Sequence, residues 1–235
     1  MAARLALSPD AGPLNLSAIT CHGSPFCSHD RATPRSQALT QQARCARLEA
    51  ALNASLPRGM QYVGTLMSSE LLIEAFDRIS SVVHSALTGA SIEVLTFRAD
   101  PGANTMAWLI WHLTRVQDGH IAELVGEEQV WTAGGWADRF DLPFDPGATG
   151  YGQSAGEVAA VRADAELLAG YYDAVHVRTL GYLHTLAQSD FARIVDTAWD
   201  PPVTLAVRLV SILSDDLQHA GQASYVRGLA MRAGL

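Results

Sequence analysis

The run TLAVRLVSILSDDLQHAGQASYVRGLAMRAG, residues 204–234, decides the fold. Thr204 follows the pair Pro201 and Pro202 and stands where a helix would start, and neither Gly nor Pro interrupts the run before Gly221. Successive helical side chains turn by about 100°, so Leu205, Ile212, Ala223 and Val226 fall within about 40° of His219, with Asp215 about 40° to the other side and Asp216 about 60° off. His219 is therefore expected to face a core. Burying a carboxylate or an imidazole among apolar side chains costs several kcal/mol, roughly, unless the group is paired or holds a metal. An acid and a histidine at i and i+4 present two ligands to one ion across a single turn.

Working outward from this helix, NTMAWLIWHLTRVQDGHIAELVG, residues 104–126, predicts another, with Asn104 as cap and Gly126 as stop. It embeds His112 between Trp111 and Leu113. SAGEVAAVRADAELLAGYYDAVHVRTLGYLHTLA, residues 154–187, reads as one helix of over 30 residues, with Ser154 and Glu157 at the capping-box positions. SSELLIEAFDRISSVVHSALTG, residues 68–89, carries Leu72, Ala75, Phe76, Ile79, Val82, Val83 and Leu87 as a stripe of period 3.6. Four long helices without alternating strand patterns predict an all-α, up-down four-helix bundle over residues 67–235. ARIVDTA, residues 192–198, is short enough to be extended without changing that class. The connection 127–153, between the second and third helices, is dense in Gly, Pro and aromatic residues, and a connection of that length suggests a lid.

Residues 1–66 are rich in Ser, Pro, Thr, Ala and Gln and are expected to form a disordered or loosely packed extension, with one short helical piece in QALTQQARCARLEAALNASL. Cys21, His22, Cys27 and His29 match no standard zinc spacing. All three cysteines lie in this segment, so the expected bundle has neither a disulfide nor a cysteine nucleophile. The chain has 235 residues and a formal net charge of −8; residues 1–59 hold 6 Arg and 3 acids, and residues 60–235 hold 10 Arg and 21 acids. So acidic a body argues against a nucleic-acid partner. No apolar run reaches the roughly 18 residues of a membrane span, and MAARLALSPDAG is too short in apolar residues for a secretory leader, so a cytoplasmic protein without a membrane partner is expected.

Spacing leaves two readings of the polar group: core histidines hydrogen-bonded to Asp215 or to backbone carbonyls, or a metal triplet of His112, Asp215 and His219, with Asp216 as the alternate acid. A di-iron carboxylate site would need Glu-x-x-His on two helices, and neither motif helix supplies it. Trp108, Trp111, Trp131, Trp136 and Tyr151 could wall a cofactor pocket, with Arg139 to anchor a carboxylate. His120, two turns beyond His112, is a further candidate to orient a ligand or act as acid or base. Asp118, His176 and His184 are expected on helix surfaces and His84 in packing of the first helix.

WLIWHLTRVQD, residues 108–118, and SDDLQHAGQASYVRGL, residues 214–229, resemble the two motif helices of the DinB superfamily of metal-binding bundles, which includes mycothiol-dependent maleylpyruvate isomerase and bacillithiol transferases. The resemblance spans roughly residues 68–232, and VWTAGGWADRF with LPFDP is similar to a poorly characterised actinobacterial subgroup. It implies one metal ligand at His112 and another at His219. The middle ligand falls on Asp215, where the family carries His or Glu; aspartate is shorter than either and reaches less far. The implied cofactors are a divalent ion, zinc first and nickel, iron or manganese otherwise, and mycothiol or a similar low-molecular-weight thiol. The implied activity is thiol-dependent transfer or isomerisation of a small electrophile by a monomer or homodimer; the rival class is a non-catalytic metal-binding or stress-related bundle.

Overall fold

A computed structural model describes residues 68–235. The expected extension over residues 1–66, its helical piece and the Cys21–His29 group lie outside the described residues. Four long helices dominate: α1 (Ser68–Leu87), α3 (Met106–Val125), α7 (Ala165–His184) and α8 (Leu205–Arg232). Shorter helices are α2 (Ile92–Thr96), α4 (Val130–Ala133), α5 (Trp136–Phe140) and α6 (Ala155–Ala160), and a 3-10 turn spans Gln188–Ala192. Two short strands, β1 (Ile194–Asp196) and β2 (Val203–Thr204), pair antiparallel ahead of α8, so the ARIVDTA segment is extended as its composition allowed.

In the bundle α8 packs on α1 and α3, and α7 packs on the same two. The first two long helices, α1 and α3, thus occupy opposite corners. Apolar side chains fill the space between them in two clusters, one around Trp111, Tyr171 and Tyr172 and the other around Phe76, Leu209 and Ile212. None of the described helices is long and apolar enough to cross a membrane.

The caps explain the boundaries. Thr105, not Asn104, caps α3: its backbone is extended and its hydroxyl accepts from the Trp108 amide, while Gly126 closes the helix in the left-handed region at φ 76°. Thr204 caps α8 by accepting from the Val207 amide. The run 154–187 is not one helix. Ser154 and Glu157 do form the capping box of α6, but the chain breaks over 161–164, where buried Val161 and Ala163 enter the core and the Asp164 carboxylate caps α7 by accepting from Leu167. An Asp side chain satisfying a fresh helix start competes well with continuing the old helix. The expected lid, 127–153, folds in part into α4 and α5 with Trp131 and Phe140 buried in the core, while Thr149 and Tyr151 border a cleft.

Candidate metal centre

The interior line of α8 runs through Leu205, Leu209, Ile212, Asp216, Ala220 and Ala223, all buried. His219 and Asp215 sit one step off that line. They are half-buried rather than core-facing, with side chains 18% and 33% exposed; His219 meets the His112 ring of α3, and Asp215 borders an open cleft. The residue that takes the core position is Asp216. It is fully buried and neither of its carboxylate oxygens has a partner; burial, and after it the Asp215 charge, push its carboxyl well above the usual carboxylate range. It stands outside the group that could hold an ion.

That group is His112, Asp215 and His219, one donor atom from each lying within 4.8 Å of the others. The His219 Nε2 is 3.6 Å from Asp215 Oδ1. Donors on one zinc ion lie about 2.0–2.1 Å from it, and so about 3–4 Å apart; the Asp215–His219 pair has that spacing. The chemistry of the donor set fits a divalent cation. His112 Nδ1 donates to the Thr149 carbonyl at 2.5 Å and His219 Nδ1 to Gln222 Oε1 at 2.8 Å, which leaves each Nε2 with a free lone pair. Asp215 Oδ2 is buried without a hydrogen-bond partner. Burial lowers the His112 pKa against the opposing pull of the Thr149 carbonyl, which favours the neutral ring that a ligand must be.

The two imidazoles meet edge to face at 4.9 Å, and Trp108 stacks on His112 at 4.6 Å. Trp108 Nε1 donates to Gln153 Oε1 at 2.7 Å. The segment carrying Thr149 crosses so close to α3 that a Cβ on Gly150, whose φ is 98°, would meet His112 Nδ1 at 2.7 Å. A cleft of about 420 Å³ opens beside the triplet, bordered by His112, Asp215, His120, Glu123, Thr149 and Tyr151. His120 Nδ1 accepts from Arg208 at 2.8 Å; burial first and the Arg208 guanidinium second depress its pKa, so its proton sits on Nε2.

The other sequence candidates lie elsewhere. Trp131 is buried against Phe140 and Tyr171, and Arg139 lies 3.9 Å over the Trp136 ring. Neither these nor Trp111 borders the cleft. Asp118, expected on a helix surface, is instead fully buried, because it accepts from the Val130 and Trp131 amides and from the Tyr171 hydroxyl. Arg115, which sequence reasoning passed over, is buried beside it and donates to the Ala148 and Pro146 carbonyls at 3.2 and 3.1 Å and to Gln129 at 2.6 Å. The position of Asp118 three after Arg115 on α3 was the available signal of an ion pair. His84 and His176 pair with Asp173 and Asp77, at 2.7 and 2.9 Å, and His184 is exposed.

The chain belongs to the DinB superfamily, whose family model matches residues 75–223. The crystal structure of a conserved protein from Enterococcus faecalis is similar to it, at 29% identity and a TM-score of 0.66 over 69% of this chain and 96% of that one. No curated protein matches the sequence.

Proposed function

We propose that the protein is a divalent-metal-dependent transferase or isomerase that works through a low-molecular-weight thiol, mycothiol or one like it, on a small electrophile in the cleft between α3 and α8. The reading is carried by the convergence of His112 from α3 with Asp215 and His219 from α8 beside that cleft, with both imidazole Nδ1 atoms already engaged. Three protein ligands leave a coordination position open, as in catalytic rather than closed structural zinc sites. Zinc suits two imidazoles and one carboxylate, with nickel, iron or manganese as alternatives. When bound, such an ion deprotonates a coordinating thiol.

The chain's own residues do the rest. Thr149 and Gln222 fix the tautomers of His112 and His219, and Trp108 packs behind His112 to hold its ring plane. His120, neutral and on the cleft wall, stands where it can give or take a proton. A free thiol cosubstrate requires a reducing compartment, which supports a cytoplasmic location.

The test is elemental analysis of the native full-length chain beside His112→Ala and His219→Ala, followed by a mycothiol titration of the cobalt-substituted protein. The expected result is stoichiometric metal in the parent, loss in both variants, and a thiol-dependent change in the cobalt spectrum. Full metal in both variants would refute the site. Metal without any thiol response would leave the non-catalytic bundle.

A further inference from the structure

On the other side of His120 lies a second cavity of about 350 Å³, between the β1–β2 hairpin and α8. His120 borders both spaces. The far cavity is lined by Trp199, Val203 and Val207 on its apolar side and by Arg208 and Asp196 on its polar side. Trp199 is 66% exposed and Val207 56% exposed, among the largest apolar surfaces left open to water. An indole face left open in a concavity is costly surface unless something covers it.

The charge of the cavity narrows what that is. Arg208 Nη2 donates to Asp196 Oδ2 at 2.8 Å, and Nη1 reaches His120 Nδ1 at 2.8 Å and Glu123 Oε2 at 3.4 Å. One guanidinium is thus matched by two carboxylates, with His120 neutral, and no positive charge is left for an anionic ligand. The same Arg208–Asp196 bond ties the hairpin to α8 and so sets where Trp199 stands relative to the cleft.

We propose that this cavity is a subsite for an uncharged planar group, aromatic or conjugated, which stacks on Trp199 over Val203 and Val207 and belongs to the substrate whose reacting end lies in the cleft beside His112. The proposal rests on the thiol-dependent reading only for the identity of that reacting end; the subsite itself needs no metal.

The test is equilibrium dialysis of the full-length chain against 4-nitroanisole, an uncharged planar probe, and against 4-nitrobenzoate, its anionic counterpart, with and without chelator. The comparison variants are Trp199→Ala, Val207→Asp and Tyr225→Ala, the last removing an exposed aromatic side chain of α8 that does not line the cavity. One saturable nitroanisole site per chain is expected, weakened about fivefold or more by the first two variants and unchanged by the third, with or without chelator. Absence of saturable binding, or binding in Trp199→Ala and Val207→Asp as tight as in the parent, overturns the subsite. Equal binding of nitrobenzoate overturns its proposed chemistry. Because metal content is measured on the same preparations before chelator is added, a chain that binds nitroanisole but holds no ion as isolated sinks the metal reading and leaves this one standing.

Discussion

The Nδ1 of His112 is 2.5 Å from the carbonyl oxygen of Thr149, a residue 37 positions further along the chain. One backbone carbonyl thereby decides which nitrogen of the ligand ring is free, and the closeness depends on the residue that follows it. A Cβ at Gly150 would meet His112 Nδ1 at 2.7 Å and Trp108 Cζ2 at 3.1 Å, at a φ of 98°. Gly150→Ala is expected to cost about 1–3 kcal/mol of stability and to weaken metal binding about 10–100-fold. Thermal unfolding and a chelator competition measure the two separately, and unchanged metal affinity would show that the carbonyl does not orient the ring.

Asp215 is the shortest arm of the triplet, whose donor atoms lie within 4.8 Å of one another. Asp215→Glu lengthens that arm by one methylene and is expected to tighten zinc binding by roughly tenfold, about 1.4 kcal/mol. Asp215→Asn, of the same length without the charge, is expected to weaken it by at least a similar factor. If both changes act alike, the carboxylate is not a ligand.

Asp216 gives a pH signature in chelator-treated protein. Its folded pKa is raised, by burial first and by Asp215 second, so above the unfolded value near 3.9 the native state keeps a proton that the unfolded chain has released. Stability contributed by this group is therefore lost as pH rises, with a slope approaching about 1.4 kcal/mol per pH unit until the buried carboxyl ionises. Urea unfolding of the parent and of Asp216→Asn at pH 4.5 and 7 is expected to show Asn gaining on Asp as pH increases. A constant difference between the two would mean that the carboxyl is not desolvated.

Arg115 is buried and its guanidinium is shared among Ala148, Pro146, Gln129 and the nearby Asp118. Arg115→Met leaves Asp118 without its cation and the Pro146–Ala148 carbonyls without a donor, and is expected to destabilise by about 3–5 kcal/mol. Arg115→Lys is expected to rescue little, since one ammonium cannot span the same fork. Thermal melts of the two variants decide it.

The sequence carried the bundle and the triplet because both rest on periodicity: a stripe of period 3.6 in each long helix, and an acid and histidine four apart on α8 opposite a histidine among tryptophans on α3. It put Asp215, Asp216 and His219 on one wall, whereas the helix face turns between them and only Asp216 reaches the interior. A few tens of degrees of phase are decided by which neighbours press on the helix, and one chain read alone does not contain that. The Thr149 contact was invisible for another reason, since any residue can supply a carbonyl. Gly150 was its only trace, one glycine among the several in 127–153. The break before α7 did have a signature in Asp164, concealed by the helix formers on either side of it. Trp131 and Trp136 looked like cofactor walls because aromatic residues in a long loop serve packing and ligands equally well in composition.

The Arg115 bonds have a mechanical consequence. They fasten the Pro146–Thr149 segment to α3, the same helix that bears His112, so the ring and its tautomer lock travel as one body, while Asp215 and His219 travel with α8. A cation gripped by all three would act as a bolt between two rods, and the width of the cleft would then be set by how far α8 slides along α3, not by the swing of a flap.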